Sequence, residues 1–465
     1  MGDGDGEANI AVIKTVPCQS EEDTWGYRCT CSFQLLLNRG ENIENATSNE
    51  KTTTTHFFQY AMRQEGKPIV VTEFPIATSN IQIAMSQLLT ILNSELNRNY
   101  NSAEKPISSL CFTTHLTSVS FASSWWCDEG GDCIITLHYR KPILDESVWK
   151  EKAQNILLLQ NKNSNELGSI VSKFIGRSKG RIVTVVHPTR NGKLNDILCI
   201  TPQKRKTNDD TETSFTLCLL NPSQHPEEEE TKDKATEEAK ILVYYQKAET
   251  TFFHPNSRAM IQALYWLINR IQTITATNNR LSCYLLEMYC GCGAHTVPLA
   301  KMNLLQGIVA VELDQRLVDA CIDNCKLNDC YDYSHDEKNK KNNNTTPVCV
   351  FQGDASEWAA KKSIFQRKNR QSTTNENTWY EMEEKYSILL VDPPRMGLGE
   401  TVCNFAIQQD SFTDILYISC GRNALQQDLN RLLISYYIAD CQLLDLFPRT
   451  NAVETLVHLK RRQRQ

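Results

Sequence analysis

The sequence predicts an α/β protein with a Rossmann-like domain at the C-terminus and an α+β region at the N-terminus. From about residue 284, short apolar runs alternate with helical stretches, which is typical of a parallel sheet with crossover helices. Upstream, strand-like runs such as CSFQLLL and DCIITLHY accompany an amphipathic helix around IQIAMSQLLTILNSEL. At 465 residues, the chain is longer than one hydrophobic core usually serves. We therefore predict two domains, residues 1–245 and 246–465.

Seven strands are predicted in the C-terminal domain. They are residues 284–289, 307–313, 348–352, 387–392, 415–419, 442–447 and 455–460. The last two are expected to pair as a hairpin that closes the sheet. Two polar segments, 334–347 and 367–378, contain few apolar residues and no periodicity, so we expect them to be surface insertions.

Composition argues for a protein that does not cross a membrane. Hydrophobic residues make up 40% of the chain and charged residues 22%, and no stretch approaches the roughly 18 to 20 apolar residues of a membrane helix. The N-terminus is acidic and has neither the basic start nor the apolar run of a secretory signal. The cytoplasm is the expected compartment, with the nucleus or an organelle left open.

The cysteines and the charge restrict the candidate ligands. Eighteen cysteines in a long chain without an export signal are expected to be reduced thiols, and no paired CxxC motifs have zinc spacing. We therefore predict no metal site. A net charge of −6 argues against a non-specific nucleic-acid coat, although basic runs occur at 177–181, 203–206, 361–370 and 460–464.

The first motif, EMYCGCGAH, places Gly291 and Gly293 in a tight turn after a predicted strand. Thr296 stands where the third glycine of a dinucleotide fingerprint would be, which disfavours NAD and leaves S-adenosylmethionine (SAM) or an ordinary turn. Glu312 ends the next strand, where a carboxylate can bind both hydroxyls of a ribose. An ordinary surface acid is the alternative interpretation of Glu312.

The second motif, VDPPRMG, puts Asp392 at the carboxyl end of an apolar strand, the edge where ligands bind in such sheets. Methyltransferases that act on amino groups have an aromatic residue after the two prolines, and here Arg395 takes that place. An exocyclic amine is therefore a disfavoured substrate. A purely structural turn is the alternative.

The third and fourth motifs supply a thiol and a carboxylate. Cys420 follows the strand ILYIS, and the nearby Arg422 and helix start are expected to lower the pKa of its thiol. A buried structural thiol is the alternative. Glu454, in FPRTNAVE, precedes the last strand and is expected to return to the same edge.

Together these motifs resemble the TrmA-like branch of the RNA uracil-C5 methyltransferases. In that family the glycine loop reads like LLELYCGNGN, a DPPR loop follows, the nucleophile lies in ILYISCNP and the base in FPxTxxxE. The segment TFFHPNSRAMIQALYW (251–266) is similar to the family's FxQPN segment. GYRCTCSF, EFPIATSNI, LHYRKP and FIGRSKGRI are similar to its N-terminal half, so the resemblance covers nearly the whole chain.

The resemblance implies a SAM-dependent methyltransferase that converts a T-loop uridine of tRNA to ribothymidine, acting as a monomer. It assigns the nucleophile to Cys420 and the base to Glu454. It places the cofactor against His254, Tyr289, Gly291, Gly293, Ala294, Glu312 and Asp392. It places RNA against Arg28, Tyr139, Arg177 and Arg395.

The chain departs from the family pattern at several of these positions. His254 replaces the glutamine of FxQPN, and Ala294 replaces an asparagine after the glycine loop. Gly421 and Arg422 replace the asparagine and proline after the nucleophile, and Tyr139 replaces a histidine of the family's YHKK. These changes put the cofactor contacts and the RNA contacts in question, whereas Cys420 and Glu454 are retained.

Three other functions compete with this interpretation. One is an rRNA uracil-C5 methyltransferase with the same chemistry. Another is a non-catalytic tRNA-folding chaperone of the same fold, which the altered cofactor residues suggest. The third is a cytosine-specific enzyme with Cys403 as nucleophile, which is disfavoured because Cys403 lies on the helix predicted after the DPPR loop.

Overall fold

The structure is a computed structural model of the chain, and it describes thirteen segments. They are residues 14–16, 26–44, 51–101, 112–125, 132–158, 167–190, 192–206, 211–220, 240–247, 254–277, 283–332, 344–360 and 386–463. The predicted insertion 367–378 lies outside the described residues, and of the insertion 334–347 only residues 344–347 are described.

In chain order, the strands are β1 (Lys14–Val16), β2 (Thr30–Glu44), β3 (Lys51–Gln64), β4 (Lys67–Val70), β5 (Leu116–Ser123), β6 (Cys133–Tyr139), β7 (Val171–Ser178), β8 (Arg181–Val186), β9 (Leu194–Lys206), β10 (Thr211–Leu220), β11 (Ile241–Lys247), β12 (Tyr284–Met288), β13 (Gly307–Glu312), β14 (Val348–Gln352), β15 (Tyr386–Val391), β16 (Asp414–Ser419), β17 (Tyr436–Leu444) and β18 (Glu454–Arg461). The helices are α1 (Ser79–Asn101), α2 (Glu146–Leu158), α3 (Leu167–Ile170), α4 (Ser257–Thr277), α5 (Thr296–Lys301), α6 (Gln315–Leu327), α7 (Gly399–Gln408) and α8 (Arg422–Leu432).

The described residues form two compact units. One lies within Glu21–Asp196 and Leu220–Pro226, and the other within Met1–Ser20, Ile197–Leu219 and Glu227–Gln465. The boundary predicted at residue 245 falls inside β11. The division of the chain into two domains at residue 245 therefore stays a prediction.

The first unit is built on a seven-stranded sheet with the order β4-β3-β2-β5-β6-β7-β8. Its strands pair antiparallel except for the parallel pair β6–β7. Helix α2 buries Trp149, Ala153, Ile156 and Leu157, whose spacing lines one face of a helix. These side chains share an apolar core with one face of the sheet.

The second unit contains an eight-stranded sheet with the order β1-β17-β18-β16-β15-β12-β13-β14. Strands β12 to β16 are parallel, and β18 inserts antiparallel between β16 and β17. Central strands such as β13 and β16 are almost entirely buried, which explains their continuous apolar sequences. The predicted Rossmann-like α/β fold is confirmed.

The closing hairpin is confirmed, with one correction to its first strand. The segment predicted as 442–447 begins earlier, at Tyr436, and ends at Leu444. Tyr436 is fully buried, and its hydroxyl donates to the carbonyl oxygen of Ala406 at 2.8 Å. The strand begins there because Tyr436 pairs with Arg461 of β18, a contact between distant residues that the local sequence does not show.

A smaller sheet, β10-β9-β11, also belongs to the second unit. Strand β11 is attached to helix α6 through two side-chain amides. Asn324 Oδ1 accepts from the backbone N–H of Gln246 at 2.8 Å, and Asn328 bonds both backbone groups of Tyr244. Asn324 and Asn328 lie four residues apart, so the helix presents both amides on one face.

Candidate functional site

Strand pairing brings the predicted nucleophile and base to one edge of the large sheet. Ser419 in β16 pairs with Thr455 in β18. Cys420 follows Ser419, and Glu454 precedes Thr455. Because the two strands are antiparallel, these two residues lie side by side at the same end of the sheet.

The Asp392 loop and the glycine loop emerge at the same edge. Val391, the last residue of β15, pairs with Met288 of β12 on one side and with Tyr417 of β16 on the other. From β12 the chain continues to β13 and β14 on one side, and then crosses back to β15 on the other side of β12. The strand order therefore reverses between β12 and β15. Such a reversal opens a crevice at the carboxyl ends of the strands, where ligands bind in α/β sheets.

Burial raises the pKa values of the Asp392 and Glu454 carboxyl groups at this edge and so favours their neutral forms. It raises the pKa of Asp392 to about 7. Burial also raises the pKa of Glu454 to about 8, with a further contribution from the negative charge of Asp392, while Arg395 opposes the shift. Asp392, Arg395 and Glu454 therefore share one electrostatic environment.

The thiol of Cys420 belongs to the same environment, and its pKa differs from the sequence expectation. Burial raises the pKa of Cys420, the carboxylates of Glu454 and Asp392 raise it further, and Arg395 lowers it. The prediction that Arg422 lowers the pKa of the Cys420 thiol is wrong. The guanidinium of Arg422 instead donates to the carbonyl oxygen of Asn451 at 2.6 Å.

A buried carboxylate fixes the DPPR loop relative to the strand that carries Cys420. Asp428, on helix α8, accepts from the backbone N–H of Leu398 at 2.7 Å and from the hydroxyl of Tyr417 at 2.8 Å. A side chain at Gly397 would place its Cβ 2.5 Å from Asp428 Oδ2. The end of the loop is therefore held at a position where only glycine fits.

The residue after Cys420 is also in close contact with this loop. A Cβ at Gly421 would lie 2.5 Å from the carbonyl oxygen of Arg395 and 3.2 Å from its Cα. Gly421 has φ −118°, so the restriction comes from lack of space and not from backbone conformation. The family asparagine would not fit at residue 421 with this loop geometry.

The glycine loop after β12 combines backbone strain with open space. Tyr289, Gly291 and Gly293 all have positive φ angles, of 65°, 57° and 84°. A Cβ at Gly291 would meet no atom within 4 Å, whereas one at Gly293 would lie 3.0 Å from the sulfur of Cys321. Gly291 therefore leaves room for a ligand to approach the backbone, and Gly293 allows helix α6 to pack closely.

Glu312 connects this loop to the end of β13. One carboxylate oxygen accepts from the backbone N–H of Gly291 at 3.0 Å. The other accepts from Leu313 at 2.8 Å and from Asp314 at 3.0 Å. A carboxylate has about four acceptor positions, so capacity for a ligand hydroxyl remains on the oxygen that faces Gly291.

Ala294 and His254, where the chain departs from the family pattern in its predicted cofactor contacts, both have hydrogen-bond partners within this unit. The carbonyl oxygen of Ala294 accepts from the hydroxyl of Tyr245 at 2.8 Å, and Nδ1 of His254 lies 2.9 Å from the carbonyl oxygen of Asn256. Burial lowers the pKa of His254 to about 4. The same is true of His295, whose pKa is also lowered by His254. Both imidazoles are therefore neutral at physiological pH.

Of the predicted RNA contacts, Tyr139 does not fit. It is a core residue whose hydroxyl donates to the carbonyl oxygen of Phe112 and accepts from the indole N–H of Trp149, both at 2.9 Å. Its bonding groups are satisfied inside the first unit, so it is unsuited to contact RNA.

The three arginines predicted to contact RNA occupy different places. Arg28 is half-buried and donates through Nε to the carbonyl oxygen of Thr30 at 2.9 Å. Arg177 lies on β7 beside His138, and its Nε has no hydrogen-bond partner among the described residues. Arg395 is exposed at the edge that carries Cys420.

In the part of the chain that the structure describes, no group of three or more histidine, cysteine or acidic side chains is arranged to hold a metal ion. No helix among the described residues is long and apolar enough to span a membrane.

Comparison with known proteins identifies the family to which this site belongs. The family model for tRNA (uracil-5-)-methyltransferases matches residues 227–462, which is half of the chain and includes the whole site edge. The chain belongs to this family. It is therefore a methyltransferase of the uracil-C5 class.

Two bacterial relatives match most of the chain. The tRNA/tmRNA (uracil-C(5))-methyltransferase of Wolinella succinogenes is 26% identical over 416 residues, covering 87% of this chain and 82% of the relative. The enzyme of the same name from Aliarcobacter butzleri is 22% identical and covers 94% of this chain and 86% of its own length. A solved Pyrococcus abyssi tRNA (uracil-54, C5)-methyltransferase with S-adenosyl-L-homocysteine aligns at a TM-score of 0.49 with 14% identity, over 96% of this chain and 78% of the other.

Several residues at this edge were missed by sequence reasoning. Asp428 lies within helical sequence and carries no motif, and Gly421 was noted only as a departure from the family pattern. One signal for Asp428 was available in the sequence. It is an acidic residue at a position expected to be buried on an amphipathic helix, and a buried carboxylate needs hydrogen-bond partners.

Proposed function

We propose that the protein is a SAM-dependent methyltransferase that converts a T-loop uridine of tRNA to ribothymidine through a covalent adduct with Cys420. The observation that carries the proposal is the side-by-side position of Cys420 and Glu454 at the sheet edge, with Asp392 and Arg395 in the same electrostatic environment. Membership of the uracil-C5 methyltransferase family supplies the substrate base.

The residues at the β12–β15 crevice fit a nucleoside cofactor of this kind. The position beside Gly291 is open, and Glu312 has an acceptor available next to it for a ribose hydroxyl. Asp392, Tyr289 and His254 complete the proposed cofactor residues. When bound there, SAM would supply an electrophilic methyl group.

The chemistry explains why a thiol and a carboxyl are needed together. Carbon 5 of uracil is a weak nucleophile, so the thiolate of Cys420 adds to C6 and converts the ring to an enolate. The C5 carbon then takes the methyl group. Glu454 removes the remaining C5 proton, after which the C5–C6 double bond re-forms and the thiolate of Cys420 departs.

The electrostatics of the edge suit this sequence of steps. A base that must remove a carbon-bound proton is most effective when its pKa lies near the working pH, and the pKa of Glu454 is raised to about 8. Arg395 is the positive group that lowers the pKa values of both Cys420 and Glu454. Arg395 therefore favours the Cys420 thiolate when the reaction begins and the Glu454 carboxylate when the C5 proton is removed.

RNA binding is proposed for Arg28, Arg177 and Arg395. Arginine donates several N–H groups in a fixed geometry and binds phosphates and base edges well. The target uridine must leave its stack to reach the thiol of Cys420. One chain carries all the proposed catalytic groups, and we propose that it acts as a monomer.

The proposal is tested by incubating the purified protein with SAM and unmodified tRNA and analysing the nucleosides by mass spectrometry. We expect 5-methyluridine at a single T-loop position. Methylation of rRNA in place of tRNA would make the protein an rRNA enzyme of the same chemistry. Tight tRNA binding without any methyl transfer would show a non-catalytic RNA-binding protein.

The covalent step has its own test. The Glu454→Gln variant should accumulate a denaturation-resistant protein–RNA adduct because elimination is blocked, whereas the Cys420→Ala variant should form none. Cys403→Ala, which removes the buried thiol next to Asp428, is the matched control and should retain adduct formation. An adduct that persists without Cys420 would disprove the assignment.

A further inference from the structure

An apolar side chain projects into solvent from the DPPR loop. Met396 is 85% exposed, more than any other large apolar side chain among the described residues. Single exposed apolar residues are common on protein surfaces and by themselves need no explanation. Met396 differs from them in two respects, which are the rigidity of the turn that carries it and its place next to the Cys420 loop.

Met396 lies at the tip of a β-turn. The backbone N–H of Gly397 donates to the carbonyl oxygen of Pro394 at 2.8 Å, and this bond closes the turn. Arg395 and Met396 are therefore its two central residues. Pro393 and Pro394 restrict the backbone that leads into the turn.

The other end of the turn is fixed against helix α8. The backbone N–H of Leu398 donates to Oδ2 of Asp428 at 2.7 Å. A Cβ at Gly397 would lie 2.5 Å from the same oxygen and 2.9 Å from Cβ of Ala424. The turn therefore holds Met396 on a rigid projection, and a side chain presented in this way loses little backbone entropy when it binds a partner.

The same turn touches the loop that carries Cys420. A Cβ at Gly421 would lie 3.2 Å from the Cα of Arg395. Consecutive Cα atoms are about 3.8 Å apart, so the Cα of Met396 lies within about 7 Å of that position. Met396 therefore belongs to the rim of the edge at which a uridine would meet Cys420.

A uridine that moves to Cys420 leaves a gap in the stack of bases from which it came. Unstacking a base is unfavourable, and proteins that open nucleic acid structures commonly insert an apolar side chain such as methionine between neighbouring bases. Such a side chain must project from the surface, be held firmly and lie next to the reacting site. Met396 meets these three conditions, and its flexible thioether can adapt to the face of any base.

We propose that Met396 enters the RNA beside the target uridine and occupies the space that the uridine leaves. This inference rests on the proposed function, because it assigns a substrate contact at the same site. The partner of Met396 is the face of the base next to the target. The contact therefore depends on base stacking and not on phosphate charge. The two central residues of the turn then have separate tasks, since Arg395 acts on the charges at the reacting centre and Met396 acts on the RNA outside it.

The test measures unstacking and methyl transfer separately. Unmodified tRNA that carries 2-aminopurine next to the target uridine is mixed with excess protein without SAM, and the fluorescence of 2-aminopurine rises when its neighbour leaves the stack. The wild type should give a large rise and Met396→Ala a small one. The rate of methylation in a single turnover at saturating protein should fall by about tenfold in Met396→Ala, because a buried apolar contact is lost. Met396→Leu, which keeps the apolar volume, should retain most of both signals.

The matched control is another exposed apolar residue of the same unit. Ile434 is 74% exposed and lies two residues before Tyr436, which pairs with Arg461 at the edge of the sheet opposite Cys420. Ile434→Ala should therefore behave as the wild type in both measurements. Melting temperatures without RNA show whether each variant is folded.

A change in the RNA separates a wedge from a structural role of Met396. In a T arm with an abasic nucleotide next to the target uridine, the stack is already interrupted, so the rate lost in Met396→Ala should be largely recovered relative to the wild type. An equal loss on the intact and the abasic T arm would assign Met396 a structural role and overturn the inference. A wild-type rise in fluorescence or a wild-type rate on intact tRNA with Met396→Ala would overturn it as well.

The result also distinguishes this inference from the proposed function. Wild-type protein that neither unstacks the target uridine nor methylates tRNA would overturn both. Wild-type protein that does both, with a Met396→Ala variant that does so equally well, would overturn the role of Met396 alone.

Discussion

At the scale of single residues, the site is defined by how four ionisable groups affect one another. Asp392 and Glu454 make the Cys420 thiolate less favourable, and Arg395 makes it more favourable. The resting protein therefore holds Cys420 mainly as the neutral thiol. A thiol in this state resists oxidation and alkylation better than a thiolate, because the thiolate is the reactive form.

The first prediction concerns the pKa of Cys420. Arg395→Gln should raise it, because a positive group that lowers it is removed, whereas Glu454→Gln should lower it. The pKa is measured from the pH dependence of iodoacetamide labelling, followed by mass spectrometry on the peptide that contains Cys420. Arg422→Gln is the control and should leave the pKa unchanged, since Arg422 bonds Asn451 instead. A shift with Arg422→Gln as large as that with Arg395→Gln would contradict this account.

At the scale of elements, two contacts hold the DPPR loop and the Cys420 loop in place at the sheet edge. Asp428 on α8 connects the end of the DPPR loop to β16, and Gly421 allows the loop that carries Cys420 to touch the backbone of Arg395. Neither group reaches the reacting atoms through its own chemistry. Both act by placing Cys420 and Arg395 at a fixed separation.

The second prediction tests Asp428 as a positioning residue. Asp428→Asn puts an N–H donor where Oδ1 now accepts from the thiol of Cys403 or, with the amide turned over, where Oδ2 accepts from Leu398 and Tyr417, so the loop should shift. We expect kcat for methyl transfer to fall by about a hundredfold, the loss typical of a small misplacement, with little change in the affinity for S-adenosylhomocysteine. Asp410→Asn removes an exposed carboxylate that pairs with Arg461 and should change neither quantity. Equal losses of kcat and of affinity would indicate general unfolding instead.

The third prediction concerns Gly421. Gly421→Ala should displace the carbonyl of Arg395, because the new Cβ would lie 2.5 Å from it. We expect slower adduct formation with Cys420 in single-turnover experiments and a higher pKa of Cys420, since Arg395 moves away. Ala424→Gly, on the same helix, alters a small side chain near Gly397 without adding a Cβ at the loop. A Gly421→Ala variant with wild-type adduct kinetics would show that the loop has room to adjust.

At the scale of the whole molecule, the buried carboxyls affect stability. Their pKa values are raised from 3.8 to about 7 for Asp392 and from 4.5 to about 8 for Glu454. Between the ordinary and raised values, the folded protein holds more protons than the unfolded chain. The free energy of unfolding therefore falls as pH rises from about 4 to about 8, and the protein is least stable where Glu454 is charged.

The fourth prediction follows from this fall in the free energy of unfolding with rising pH. Glu454→Gln removes a group that is unfavourable when ionised, so the melting temperature of the ligand-free variant should exceed that of the wild type at pH 8.5, by a few degrees. At pH 4.5 the two should be nearly equal, because the wild-type carboxyl is then neutral in the folded state. Differential scanning fluorimetry at the two pH values measures the difference. A variant that is no more stable than the wild type at pH 8.5 would contradict the effect.

The sequence by itself determined the Rossmann-like fold, the closing hairpin and the four motifs at the sheet edge. It could do so because those motifs follow predicted strands, and the carboxyl ends of parallel strands must meet at one edge. The family resemblance rests on the same local patterns.

Only the tertiary structure decided the charge state of Cys420, the burial of Tyr139, the start of β17 at Tyr436 and the place of Asp428. Each of these depends on which distant residues surround a side chain: the pKa of Cys420 on two carboxylates and an arginine, the placement of Tyr139 on Trp149. Burial and through-space charge are properties of the packed chain, and a local sequence pattern does not contain them.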